Sequence, residues 1–209
     1  MWAQKGQPGV LDDVHVLVAL HQEWVSHRPF GASNLRSSFT PRQVAIELSD
    51  GEPVESMNDP RASFSGHTLE TPWSSLQLAY FVGTAMWTYL TQPFAMSLPG
   101  FATQELEPWA EDADVRLRRL RVTWPDYLAT HSTQQTLYFD ANGLLARHDY
   151  EVEIIAGAPA AHLFSDFQTV AGIVLPTRHR IYPRGRGGNV LKDILLVSID
   201  IDDIQFTQP

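Results

Sequence analysis

Cysteine is absent from the 209 residues. Disulfides, thiolate nucleophiles, iron–sulfur clusters and Cys-bound zinc are therefore excluded, and a reducing compartment suits such a chain. Positive charge is scarce, with 15 Lys and Arg against 24 Asp and Glu and a formal net charge of −9. Binding to nucleic acid or to an anionic membrane surface is not expected from that balance. The first residues, MWAQKGQPGVLDD, contain no apolar run of the roughly 7–15 residues that a secretory signal needs. The expected location is the cytoplasm. No repeat, low-complexity tract or linker divides the sequence, and its length suits one domain over 1–209.

Catalytic signatures are missing as well. No GxSxG elbow precedes a helix. The glycine-rich RGRGG (184–188) leads into a strand, so it has no helix end to hold a phosphate. HxH and HExxH spacings do not occur, and neither a metal nor a cofactor is expected. The cluster Arg178, Arg180, Arg184 and Arg186 reads as a solvated strand end and loop.

What the sequence does contain is strand patterning around one greasy segment. VHVLVALHQEWVSH (14–27) alternates at Val14, Val16, Val18 and Leu20, the period of a half-buried strand. QVAIEL (43–48) and PVESM (53–57) flank Ser49-Asp50-Gly51, a hairpin signal. VRLRRLRVTW (115–124) alternates, with Arg116, Arg118 and Arg121 expected in solvent. QTLYF (135–139) and LLARHDYEVEII (144–155) flank a DANG turn, AAHLFSDFQTV (160–170) and IVLPTRHRIY (173–182) flank Gly172, and NVLKDILLVSIDIDDIQF (189–206) follows. Between the strands, TPWSSLQLAYFVGTAMWTYLTQPF (71–94) carries no charge. Thr71 is a fitting N-cap, Pro72 a fitting first helical residue and Pro93 a stop. Ser74, Gln77, Thr84, Thr88 and Thr91 form a narrow polar stripe, and the rest of the circumference is apolar. A helix of that kind is buried; the scattered polar residues and the lack of flanking Lys or Arg argue against a membrane span. The predicted fold class is α+β: a strongly curved antiparallel sheet, an open or half barrel, wrapped around one long hydrophobic helix.

This arrangement resembles the open β-barrel of the bacterial lipoprotein carriers LolA and LolB, a scaffold shared by the violacein-pathway enzyme VioE. The segments TPW (71–73), AMWTYL (85–90), RHDY (147–150) and PTRHR (176–180) also look like stretches of bacterial proteins without an assigned activity. The resemblance implies a concave face that receives an apolar small molecule and, in one relative, cofactor-independent chemistry.

Alternation in 144–155 groups His148 and Tyr150 with Leu144, Ala146, Val152 and Ile154. Arg147, Asp149, Glu151 and Glu153 share the other face with Leu145. The charged face is expected outward, which places Asp149 in solvent and turns His148 and Tyr150 inward as an acid–base pair aided by Asp166. A hairpin about Ala171-Gly172 sets His162 opposite Ile181 and diagonal to His179. In the simplest register His148 falls on the opposite face from that pair, and a bulge around 156–159 would unite all three. Trp73, Tyr80 and Trp87 recur every seven residues on one helix face. The candidate ligand lining is Tyr80, Trp87, Tyr138, His162, Asp166 and His179. The expected function is binding of a hydrophobic small molecule, a lipid, isoprenoid or polyketide, between sheet and helix. The alternatives are a cofactor-independent cyclase, isomerase or hydrolase using His148 and Tyr150, and a module that binds another protein. The sequence leaves the oligomeric state open.

Overall fold

The computed structural model describes residues 2–110 and 115–207. The chain forms two compact units, each assembled from three separate segments. The first comprises Met1–Gly100, Pro125–Thr133 and Glu153–Gly157; the second comprises Phe101–Trp124, Gln134–Val152 and Ala158–Pro209.

The first unit holds a five-stranded antiparallel meander of β1 (His15–Val18), β2 (Val25–Arg28), β3 (Leu35–Thr40), β4 (Gln43–Leu48) and β5 (Pro53–Asn58). Residues 14–27, expected as one strand, make two. Trp24 explains the break, because the chain turns back on itself there and the Ala19 N–H donates to the Trp24 carbonyl. The β4–β5 hairpin forms around Gly51, whose φ of 100° favours glycine.

The same unit contains α1 (Ser75–Thr91). Thr71 does not cap it. Ser74 does, through a capping box in which Ser74 Oγ accepts from the Gln77 N–H and Gln77 Oε1 accepts from the Ser74 N–H. Fifteen of its 17 residues are buried. Apart from the exposed Ser74, the polar stripe is buried too, and two of its hydroxyls satisfy themselves inside the helix: Thr88 Oγ1 donates to the Thr84 carbonyl at 2.9 Å and Thr91 Oγ1 to the Trp87 carbonyl at 2.7 Å. The helix seats on β2, β3 and β4. Its closest approach is at Gly83, where a Cβ would stand 2.3 Å from Phe39 Cγ. Among the described residues, no helix is long and apolar enough to cross a membrane.

The second unit is a seven-stranded antiparallel meander. Its strands are β6 (Ala102–Ala110), β7 (Arg116–Thr123), β8 (Gln134–Phe139), β9 (Leu145–Val152), β10 (Ala158–Val170), β11 (Ile173–Pro183) and β12 (Val197–Asp200). The fold is thus α+β with antiparallel sheets and one α-helix among the described residues, and its strands divide between two open sheets instead of building one. Two strands went unforeseen, β3 and β6, which are rich in Ser, Thr, Glu and Gln and alternate weakly. The segment 189–206 yields only the four residues of β12.

Candidate functional site

The three histidines share one face of the second unit's sheet. β9 and β10 pair with His148 directly opposite His162, and β10 and β11 pair with His162 opposite Ile181 and Phe164 opposite His179. The simplest register for His148 was wrong, and the connection explains why. Residues 153–155 form a 3-10 turn, and Ala156 and Gly157 both take left-handed backbone at φ 58° and 68°. That connection resets the parity of the two strands, as a bulge would.

His148, His162 and His179 are each fully buried, and Tyr150 is 2% exposed. The His148 and Tyr150 rings lie 4.8 Å apart between centroids, and the His162 and His179 rings 5.0 Å apart. Hydrogen bonding fixes the tautomers. The Pro176 carbonyl can only accept, so the His179 Nε2–H donates to it, at 3.2 Å. His179 Nδ1 then accepts from the His162 Nε2–H at 2.9 Å, while the His148 Nε2–H donates to Gln135 Oε1 at 2.5 Å. Burial lowers His179 to about 4, so its ring is neutral at physiological pH. Phe164 closes against His162 with centroids 4.0 Å apart. The result is a buried face of imidazole, phenol and apolar groups. Among the described residues no group of three His, Asp or Glu is placed to hold a metal ion.

Other expected residues lie elsewhere. Asp166 does not reach the imidazoles: its backbone is left-handed at φ 55°, and its exposed carboxylate pairs with Arg178 at 2.7 Å. Tyr80 and Trp87 belong to the first unit. The Trp87 indole N–H donates to the carbonyls of Ala19 and Gln22, both at 3.0 Å. Tyr80 meets Phe39 and Phe64 edge-on or tilted, and the crevice beside it, bordered by Arg61 and His131, has no room for a water molecule.

Tyr138 points to the opposite face of the seven-stranded sheet, and there a second expectation fails. Arg147 and Asp149 are not in solvent; they are 1% and 5% exposed. They form a forked ion pair, Arg147 Nε to Asp149 Oδ1 at 2.7 Å and Nη2 to Oδ2 at 2.9 Å. Tyr138 Oη donates to Asp149 Oδ2 at 2.9 Å, and its pKa is pushed up to about 12 by burial and by that carboxylate. The Trp109 ring lies 5.6 Å from the Arg147 guanidinium. It is presented after the β6–β7 pairing shifts between Leu106 and Trp109, where Pro108 offers no N–H. The loop after β11 completes the cover. Gly188, at φ 86°, sits so close to Trp109 that a Cβ would be 3.0 Å from its ring, and its carbonyl accepts from Arg147. Gly188 of the RGRGG segment thus caps the ion pair, while Arg186 and Gly187 are exposed as expected of a solvated loop. Sequence reasoning missed Trp109, Arg119 and Arg184 at this face; the alternating arginines of β7 and the charged alternation of β9, with β8 between them, were the available signal.

The buried ionisable groups set a pH profile. Burial lowers His27 to about 4, His131 to about 3 and His179 to about 4 from an ordinary 6.5. A depressed imidazole stabilises the fold above 6.5 and loses that contribution as pH falls toward the folded value. Glu23 behaves oppositely: burial raises it from 4.5 to about 8, against the pull of the Ala129 N–H, so its contribution is full below 4.5 and is lost as pH rises through 8. Between these limits three imidazoles oppose one carboxyl, and above 6.5 the carboxyl acts alone. Thermal unfolding followed across pH should show greatest stability near neutrality, and Glu23→Gln should remove the alkaline decline while leaving the acid one.

The chain is therefore an α+β protein of two open antiparallel meanders, one of which bears a buried imidazole face and a covered ion pair on its two sides. No protein-family model matches the sequence, and no curated protein matches it either. Solved structures similar in fold include a LolA superfamily protein from Nitrosomonas europaea, at 13% identity over 84% of this chain and 70% of that one, TM-score 0.48. Another is a putative outer membrane lipoprotein-sorting protein domain from Vibrio parahaemolyticus, at 9% identity over 77% and 64%, TM-score 0.43. A third is a DUF1329 family protein from Desulfovibrio piger, at 12% identity over 79% and 65%, TM-score 0.44. At such identities the likeness is one of fold, and no ligand or activity passes from them to this chain.

Proposed function

We propose that this chain is a binding protein for a hydrophobic small molecule, a lipid, isoprenoid or polyketide-like compound, which it receives against the imidazole face of its seven-stranded sheet. One observation carries the reading: three buried imidazoles share one face on adjacent strands, among mostly apolar neighbours. An interior kept only for stability gains nothing from polar rings that must be desolvated and paired. A ligand surface needs this composition, mostly apolar with a few fixed hydrogen-bonding groups. His148, Tyr150, His162 and His179 carry the polar contacts; Tyr80 and Trp87 support the uncharged helix. The reading takes 1–209 as a single domain, since both units are built from interleaved segments, and places it in the cytoplasm with no resident cofactor.

The test is a fluorescence titration with N-phenyl-1-naphthylamine, a neutral apolar probe, followed by displacement with 1-dodecanol. Saturable 1:1 binding is expected, with displacement by the alcohol weakened about tenfold in His162→Phe, the worth of a lost hydrogen bond. Absence of saturable binding would end the proposal.

A cofactor-independent enzyme is the second reading, favoured by the Gln135 amide that fixes the His148 tautomer beside Tyr150. It requires that His148→Ala abolish turnover of a bound ligand while retaining affinity. Retained turnover in that variant excludes His148 as the acid–base group.

A further inference from the structure

The other face of the same sheet is built for a different ligand. Above the Arg147–Asp149 pair lies a cleft of about 390 Å³, bordered by Trp109, Arg119, Arg121, Tyr138, Arg184 and Gly188. That volume is in the range of small-molecule sites, roughly 300–1,000 Å³.

Its charges do not cancel. Asp149 is committed to Arg147 and Tyr138, and Glu151 is paired with Arg184. Among the described residues, no carboxylate is paired with Arg119 or Arg121. Arg119 Nε donates to the Glu107 carbonyl and Arg121 Nη1 to Gln104 Oε1 at 3.4 Å, both uncharged acceptors. The two alternate on β7, so their side chains leave the same face, opposite Tyr138 and Thr136 of β8. Arg119 is also held in place, its guanidinium 5.6 Å from the Trp109 ring. A planar guanidinium braced in this way is suited to two-pronged recognition of oxygens on a carboxylate or phosphate. In a chain of net charge −9, such a local excess of positive charge is unexpected on a merely solvated strand.

We propose that this cleft binds a small organic anion through Arg119 and Arg121, a site independent of the imidazole face. The shared chemistry is a compact oxyanion, either a polycarboxylate or a phosphate ester, with Tyr138 beside Arg119 and Arg184 also lining the cleft.

Isothermal titration calorimetry with citrate and with glycerol 3-phosphate as probes distinguishes the two sources. Saturable binding of one probe is expected, reduced about tenfold or more in the Arg119→Gln/Arg121→Gln variant, as loss of charge-assisted hydrogen bonds implies. Arg119→Lys should keep part of the affinity, because charge remains and the fork does not. Thermal unfolding of each variant, expected to stay close to the wild type since Arg121 is exposed and Arg119 only half-buried, separates lost binding from lost folding. His162→Phe should bind the anion as the wild type does, whatever it does to the apolar probe. No binding of either probe, or equal binding by wild type and double variant, would overturn the proposal.

Discussion

Replacing Asp149 with alanine is expected to destabilise the protein by about 3–5 kcal/mol, the usual penalty for stranding one member of a buried ion pair. Arg147 is 1% exposed and gives two hydrogen bonds to that carboxylate. Without Asp149 its charge stays under Trp109 with the Gly188 carbonyl as a remaining acceptor, and the Tyr138 hydroxyl loses a carboxylate acceptor. A chain of this size should then melt on the order of 10 °C lower. The double change Arg147→Met/Asp149→Leu removes the desolvation penalty together with the attraction and should recover most of the loss. Urea unfolding of the three proteins checks the sign. A single variant within about 1 kcal/mol of wild type would mean that the pair is solvated.

Gly83→Ala should cost about 3 kcal/mol, although alanine is the better helix former by roughly 1 kcal/mol. The reason is contact, not conformation. A Cβ at Gly83 would fall 2.3 Å from Phe39 Cγ and 2.5 Å from Phe39 Cβ, with Phe39 fully buried. Shortening Phe39 cannot relieve this, because its own Cβ is part of the clash. The pair Gly83→Ala/Phe39→Ala should therefore remain below either wild type or Phe39→Ala alone, as measured by chemical unfolding. A neutral or stabilising Gly83→Ala would show that α1 does not rest on β3.

Much of this architecture was legible in the sequence. The uncharged stretch around Tyr80 declares a buried helix, and alternation with turn residues at Gly51, Gly143 and Gly172 declares hairpins. Pairing near Gly172 follows from the turn, so His162 opposite Ile181 was readable. The register of β9 on β10 was not. It depends on left-handed backbone at Ala156, a residue type with no tendency to advertise it. The buried ion pair was illegible for another reason. Alternation says that Arg147 and Asp149 share a face, but not what covers it; the covers, Trp109 and Gly188, come from strands and loops distant in sequence. Charged alternation is ordinarily a solvent face, and here long-range contacts overrode that rule. Asp166 failed through local backbone: its positive φ turns an alternating residue out of the face its position implies.

Long-range proton–nitrogen NMR of the imidazoles, in the free protein and in protein saturated with N-phenyl-1-naphthylamine, bears on ligand binding at the histidine face without relying on activity. His179 should be neutral near physiological pH and both His162 and His179 should carry a hydrogen on Nε2, and the probe should shift His148, His162 and His179 while leaving the exposed His15 and His21 unmoved. Saturation of the protein with no change at the three buried rings would contradict binding there.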